Sequence, residues 1–531
     1  MKTVIKSILV LCTVGLFFTA CDLDRTPFNA VDTEGAMETI TDARFQRNGL
    51  HSMLRNAQHG IFVYTAEWMT DLFVATPDFG NRGGNPHRLN ELLVDDYYGR
   101  DIWRNIYSSI AMVNNFINRI GDIEVNTEAD VALIAQFTAE AHYIRAYLYY
   151  VLIKYFGAGF DPATADSRPG IPIVTTFDPI ENARVSRNTL GEVYRFIMAE
   201  IALAENLTVA GPTNEAQRQT ITTDAVRALK SRVQLMMRDY AGAAETAMAL
   251  INSGRHPLIR TAAALRDNWA TDTGSEDIFR MTISAVEFGW AIQGAGSVNT
   301  EQNMLSFMNW NVANRGHWPD WLPSQRAMSL YEAGDFRRTA FFHRGTAVPH
   351  ATATPTNSPV IVDATFAINV YVLNKWPFTT IYGGNHRHMP KVHRIAEQYL
   401  IAAEALQRTG GNGLAQLNAL RTARGASALA AWSDEELRNE WAREMIGEGV
   451  YLAQMKRWGI GFNGRVPQSP LNMNTGAPVR AYAAPWALNV YVPDVPGGCF
   501  RLTLPIPANE LNLNPNMEQT PEWINPVIPQ Q

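Results

Sequence analysis

Three carboxylates, Glu440, Glu444 and Glu448, recur every four residues. That spacing places side chains on one side of a helix. Two carboxylates about 5–5.5 Å or 6.5–9.5 Å apart across a sugar ring do the work of a glycosidase. Arg443 and Arg457 stand close by in sequence. The carboxylates are therefore read as members of an ion-pair network, and no catalytic residue is assigned. His386-Arg387-His388 offers two imidazoles. No cysteine or acidic residue accompanies them at zinc-like spacing, so no metal and no cofactor is expected. Cys499 lies in Gly497-Gly498-Cys499-Phe500-Arg501 with no nearby histidine to activate it. It is read as a buried structural thiol. The chain contains no phosphate-binding glycine loop, no G-x-S-x-G elbow and no H-E-x-x-H pair.

Binding chemistry is better represented than catalysis. Flat aromatic faces take sugar rings by dispersion and CH–π contact, while polar neighbours fix hydroxyls. Peptides use apolar pockets together with backbone-directed hydrogen bonds. Two clusters offer such groups. Trp68, Asp71, Phe79, Arg82 and Asn85 form the first. Trp310, Asn311, Asn314, Arg315 and Trp318 form the second. Both are taken as candidate ligand-binding residues, against the plain alternative that each Trp packs in the core.

The elements that must position them are mostly helical. Helical periodicity begins near Ala43 and leads through Leu50 and Met53-Leu54 towards Trp68. Trp103, Ile106, Ile110, Val113 and Phe116 then follow at three- and four-residue spacings. Phe137, Ala141, Ile144, Leu148, Leu152 and Tyr155 mark a long helix that Gly157 and Gly159 should stop. Asn188 or Thr189 is a suitable cap for a helix through Val193, Ile197 and Ile201. Thr223 or Asp224 should cap the first member of a helical pair that Gly254 closes. A second pair starts near Ile395, breaks at Gly410-Gly411 and resumes at Leu414. Small residues at facing positions give both pairs a tetratricopeptide-like look. Another helix carries Leu437, Trp441 and Met445. Between 256 and 390 the periodicity fades and aromatics, Gly, Pro and Asn accumulate, which points to a functional insertion. The Pro- and Asn-rich segment from 461 onward is expected to wrap the surface.

The N-terminus has its own logic. Lys2 and Lys6 precede the 13 apolar-region residues Ile8 to Ala20, too few to span a bilayer as a helix. Phe18-Thr19-Ala20-Cys21 puts a small residue directly before a cysteine. This resembles a lipoprotein signal, with Cys21 as the acylated first residue of the mature chain. Acyl chains at about 0.8 kcal/mol per buried CH₂ hold a protein on a membrane without a spanning helix. No later run of 18 apolar residues follows. Loss of Cys12 with the leader leaves Cys499 as the one cysteine besides the anchor, so no internal disulfide framework is expected. The formal charge of −6 falls to about −8 when Lys2 and Lys6 are removed, and no basic stripe for nucleic acid is present.

A family resemblance covers nearly the whole chain apart from the irregular middle. Its residues are Ala139-Glu140-Ala141-His142-Tyr143-Ile144-Arg145-Ala146-Tyr147-Leu148-Tyr149-Tyr150, then Tyr155-Phe156-Gly157 and Gly170-Ile171-Pro172-Ile173. Arg187-Asn188-Thr189 with Glu192-Val193-Tyr194 follows. After it come Thr222 to Tyr240, Glu397 to Ala405 and Leu417 to Arg421. Glu435 to Trp458 and Leu504-Pro505-Ile506-Pro507 with Asn514 to Gln519 complete the order. The set resembles the SusD/RagB family. The resemblance implies a mainly α fold, a scaffold of tetratricopeptide-like helical pairs carrying a large irregular, loop-rich ligand-binding face. It implies lipid tethering at the outer membrane, facing the cell exterior. It also implies a TonB-dependent outer-membrane transporter as partner and glycans, or in the RagB branch peptides, as ligands. Thr65 to Pro86 looks closer to the RagB branch. Residues 1–20 are then the signal peptide, 21–38 the lipidated tether and 39–531 a single domain. Within that domain, 39–255 is a helical part, 256–390 the insertion, 391–460 a second helical part and 461–531 the wrapping tail.

The expectation is a nutrient-capturing binding protein, not an enzyme. A surface glycoside hydrolase or protease and a purely structural helical-repeat adaptor are the rivals. Trp68→Ala and Trp318→Ala are each expected to lower ligand affinity by about 1–3 kcal/mol. Unchanged calorimetric affinity in both variants would remove these two residues from the site.

Overall fold

The computed structural model describes residues 37–75, 83–89, 92–283, 321–346, 369–377, 388–463, 465–466, 468, 491–492 and 500–524. Its framework is a set of helices packed in pairs. Helix α1 (Ile40–Asn56) starts at Thr39, whose hydroxyl accepts from the Asp42 amide while Asp42 caps Thr39 in return. Helix α2 (Ile61–Trp68) is buried along its whole length. Helix α3 (Tyr97–Arg119) buries Trp103, Ile106, Ile110, Val113 and Phe116, the stripe its sequence spacing requires.

Helix α4 (Glu128–Phe156) is the centre of this half. From Ala139 to Phe156 every residue is buried; the stretch is largely apolar, and its charged members are partnered, Glu140 with Arg47, His142 and Arg145 with Glu200, and Lys154 with Phe62 O. Helices α1, α3 and α5 (Leu190–Ala204) pack around it. Gly157 ends it, and Thr189 caps α5 through a reciprocal pair with Glu192.

The two expected helical pairs are present. Helix α6 (Thr223–Met236) packs on α7 (Tyr240–Asn252). Further along, after the short helix α8 (Ala262–Ala270), α9 (Ile395–Arg408) packs on α10 (Gly413–Ala423). Helix α9 also lies against α7, so the pairs stack in the tetratricopeptide manner. Ala243, Ala247, Ala402 and Ala403 are completely buried at these contacts and let the helices approach closely. One cap differs from the sequence reading. Thr222, not Thr223 or Asp224, caps α6. Asp224 instead turns inward to take Arg255 at 2.6 Å and His256 at 3.0 Å.

Strands are short and occur among the described residues as antiparallel pairs. Strand β1 (Phe73–Ala75) pairs with β3 (Trp321–Pro323), and β2 (Asp277–Arg280) with β6 (Lys391–Arg394). Strand β4 (Phe342–Thr346) pairs with β5 (Asn369–Leu373), and β7 (Phe462–Asn463) with β8 (Tyr491–Val492). The stretch read as irregular from 256 onward therefore contains α8 and four of these strands. Periodicity over three to five residues is too short to register. The described tail is also more embedded than a surface wrap. Leu504 and Ile506 are buried, and the Leu504 amide donates to Tyr155 O at 2.8 Å.

The last two long helices are α11 (Asp434–Met445) and α12 (Tyr451–Trp458). The face of α11 carries the carboxylate ladder, and the ladder is a buried ion lattice. Glu444 accepts from Arg394 Nη1 at 2.9 Å, Arg424 Nη2 at 2.9 Å and Arg337 Nη1 at 3.0 Å. Glu440 accepts from Arg337 Nη1 at 2.6 Å, Arg443 Nε at 2.8 Å and Arg421 Nη1 at 3.1 Å. Both carboxylates are sealed from solvent, so neither can reach a sugar. Two details correct the sequence reading. The helix ends at Met445 and Gly447 turns the chain with φ 81°, so Glu448 lies beyond the helix. It rejoins the lattice through Lys375 and Arg394, each at 2.6 Å. Arg457 pairs with Glu404 at 2.6 Å rather than with the ladder.

Burial alone would push these carboxyls up, but the facing guanidinium groups hold Glu440, Glu444 and Glu448 below the usual range. Their stabilisation is complete above the unfolded carboxylate value near 4.3 and is lost as pH falls through the depressed folded values. Glu444→Gln leaves Arg337, Arg394 and Arg424 facing an uncharged group. It is expected to lower unfolding free energy by about 3–5 kcal/mol. Urea titration at neutral pH measures this. A loss below about 1 kcal/mol would show that the lattice does not hold the fold.

Candidate functional site

The site begins where α2 ends. Trp68 closes the helix, and Thr70 Oγ1 donates back to Glu67 O at 2.8 Å, turning the chain towards β1. Strand β3 pairs with β1 and delivers Ser324, the cap of the short helical turn Gln325–Ser329. Ser324 ties the two segments together. Its hydroxyl donates to Asp71 O at 2.7 Å and its amide to Leu72 O at 2.8 Å. This brings Asp71 beside Arg326, whose Nη1 donates to the Asp71 carboxylate at 3.1 Å. Arg326 Nη2 reaches the Tyr451 hydroxyl of α12 at 3.3 Å.

A third segment arrives from the tail. Arg465 is only 2% exposed and donates to three main-chain carbonyls. These are Thr70 O at 2.6 Å, His87 O at 2.9 Å and Trp68 O at 3.0 Å. The guanidinium thus fastens the α2–β1 turn to the helical turn Gly84–Arg88. Its plane lies over Phe462, 4.5 Å from the ring centroid. The Gln325 amide donates to Val466 O at 2.8 Å, and the Val466 side chain stands 62% exposed.

Together these residues line an open cleft of about 400 Å³: Asp71, Gln325, Arg326, Ser329, Phe462, Arg465 and Val466. That size and this mix of an aromatic ring, an amide, a hydroxyl and ionised groups suit a small polar ligand. Beneath the cleft lies an aromatic floor. Trp68 has ring centroids of Tyr64, Trp321 and Tyr98 at 4.4, 5.3 and 5.4 Å. Gly83, at φ 71°, sits so close that a side chain there would enter the indole.

The sequence candidates separate accordingly. Asp71 lines the cleft. Trp68 does not; at 1% exposure it is core, and its place is under the site rather than facing a ligand. A large aromatic ring next to a loop has the same sequence signature in either position. Asn85 is drawn into local structure, donating to Asp96 at 2.8 Å and accepting from Arg88 at 2.6 Å. Phe79, Arg82, Trp310, Asn311, Asn314, Arg315 and Trp318 lie outside the described residues, as do Cys21 and Cys499. Of the His386–His388 pair, His388 is described. It is buried between Asp272 at 3.2 Å and Pro377 O at 2.6 Å. Among the described residues no cluster of His, Cys, Asp and Glu fit for a metal occurs. The groups that sequence reading missed are Gln325, Arg326, Ser329, Phe462, Arg465 and Val466. Ser324 with its helical turn was a faint signal, and Arg465 gave none.

Comparison with known proteins places this arrangement. A family profile described as "Starch-binding associating with outer membrane" matches residues 32–235. A second, the "SusD family", matches residues 352–523. The chain belongs to the SusD/RagB family. SusD-like protein P2 of Formosa agariphila is 22% identical over 483 residues, covering 85% of this chain and 88% of that one. A SusD superfamily protein from Bacteroides thetaiotaomicron superposes with a TM-score of 0.70 at 20% identity, covering 91% of this chain and all of the other. Surface glycan-binding protein A from Bacteroides fluxus superposes with a TM-score of 0.65 at 19% identity, again over 91% of this chain and 100% of that chain. The mainly helical SusD-like fold expected from the resemblance is therefore the observed one.

The altered place of Trp68 changes what its removal does in this SusD/RagB member. Trp68→Ala opens a cavity in the floor and is expected to cost about 3–5 kcal/mol of stability. Calorimetric or urea unfolding would show this. A fully stable variant that has lost only ligand affinity would return Trp68 to the binding surface.

Proposed function

We propose that this SusD/RagB member is a cell-surface glycan-binding lipoprotein that captures oligosaccharides in the Asp71–Arg326 cleft and passes them to a TonB-dependent outer-membrane transporter. The observation that carries the reading is the cleft itself. An aromatic ring at Phe462, an exposed apolar side chain at Val466 and polar groups at Asp71, Gln325, Arg326 and Ser329 converge on one open space. Sugar rings offer flat CH faces and divergent hydroxyls, and this set meets both.

Capture without chemistry fits the same residues. The carboxylate in the cleft, Asp71, is ion-paired with Arg326, and the buried glutamates of α11 are saturated by arginine. The family profile over 32–235 is named for starch binding and outer-membrane association, and a structural relative is named for surface glycans; both names support the assignment. Acylation at Cys21 would hold the chain on the membrane beside its transporter.

Glycan and peptide arrays probed with the mature protein test the proposal. Oligosaccharide binding is expected, with no new reducing ends after prolonged incubation. Phe462→Ala is expected to weaken binding of the best array hit by about 1–3 kcal/mol in calorimetry. Binding of peptides alone would replace glycan by peptide as the cargo. Release of reducing sugar would make the protein an enzyme.

A further inference from the structure

Among the described residues the charges lining the cleft do not cancel. These are two guanidinium groups, Arg326 and Arg465, and one carboxylate, Asp71. Asp71 is already bonded to Arg326 at 3.1 Å. Arg465 bonds to neutral groups among the described residues, the carbonyls of Thr70, His87 and Trp68. Among the described residues it forms no ion pair. This sets it apart from Arg232, Arg337, Arg394, Arg424 and Arg457, each of which meets a carboxylate within 3.0 Å. The cost of leaving it so is visible: burial pushes Arg465 down to about 9, with Asp71 as the opposing charge. From α11, Glu435 acts on Arg326 and Arg438 acts on Tyr451 at the other end of the Arg326 contact.

A positive charge at the edge of a low-dielectric wall is felt strongly by a ligand in the adjoining cleft, because field lines are focused where water is scarce. Building that charge with no anion of its own is unfavourable unless an anion arrives. We infer that the cleft selects oligosaccharides bearing an acidic group, a carboxylate or a sulfate ester, over neutral ones. Arg326 would meet the anion directly, and Arg465 would supply charge from beneath. Ser329, Gln325 and Phe462 would hold the adjoining sugar. This rests on the glycan-binding reading above and narrows it.

The test uses an array of galacturonate, alginate and sulfated galactan fragments beside starch and β-glucan fragments. The best binder is then compared with its carboxyl-reduced or desulfated counterpart in calorimetry. The acidic form is expected to bind at least about tenfold tighter, the scale of one hydrogen bond to a charged group. Raising salt should narrow the gap. Arg326→Gln should weaken binding of the acidic form, whereas Asp71→Asn should strengthen it. Thermal unfolding of both variants checks that each is folded. Equal affinity for the acidic and neutralised forms, a neutral best binder, or indifference to both substitutions overturns the inference and leaves glycan capture standing. Failure to bind any glycan overturns the capture reading itself.

Discussion

The position of Glu444 is the constraint from which the rest of the fold follows. A carboxylate taken fully out of water is tolerable only when cations surround it at hydrogen-bonding distance. Three arginines do so here, and they come from three separate segments of the chain rather than from one helix. Arg337 precedes β4, Arg394 ends β6 and Arg424 follows α10. Arg424 in turn holds Glu276 at 2.8 Å, which fixes the approach to β2. Each guanidinium has a fixed fork of donors, so the lattice defines angles as well as distances. Apolar packing would tolerate small slips between these segments. Ion pairs in a dry interior do not.

That rigidity is passed on to the ligand face through the turn after α11. The Gly449 amide donates to the Glu67 carboxylate at 2.7 Å, and Lys154 Nζ donates to Phe62 O at 3.1 Å. Both contacts hold α2, whose end sets Trp68 and Asp71. Burial pushes Glu67 up to about 7 and Lys154 down to about 7. On the other side of the turn, α12 presents Tyr451 to Arg326. The buried lattice and the open cleft are thus bridged by hydrogen bonds on both flanks.

What could be read from the sequence follows the length scale of the interactions. The long helices were legible because burial repeats every three to four residues, from Trp103 through Phe116 and from Phe137 through Tyr155. Paired helices were legible because alanines such as Ala402 and Ala403 mark close contacts. Glu440 and Glu444 were legible as ion-paired, and Arg443 as the partner of Glu440, yet the remaining partners were not. Arg457, near in sequence, serves Glu404, while Arg337 and Arg394 come from far away. The cleft was legible in Asp71 alone among its lining residues. Arg465 meets residues nearly 400 positions earlier, and no local pattern announces such a bond. Trp68 was found as a residue that matters, but the same aromatic, apolar neighbourhood serves a floor as well as a platform.

The floor and the cleft divide labour that a sequence cannot separate. Trp68, Tyr64, Tyr98 and Trp321 pack edge and tilt against one another, filling volume that would otherwise let the α2–β1 turn relax. Arg465 then locks that turn with three donors, so its rotamer freedom is already lost before any ligand comes. Arg326 is held at both ends of its fork, by Asp71 and Tyr451. Long, flexible side chains normally weaken a binding site because ordering them opposes association. Here the ordering is done by folding, and the groups that face the ligand are presented at fixed positions. The contacts that fix Arg465 and Arg326 are made within the folded chain, so a molecule entering the cleft would not have to order them.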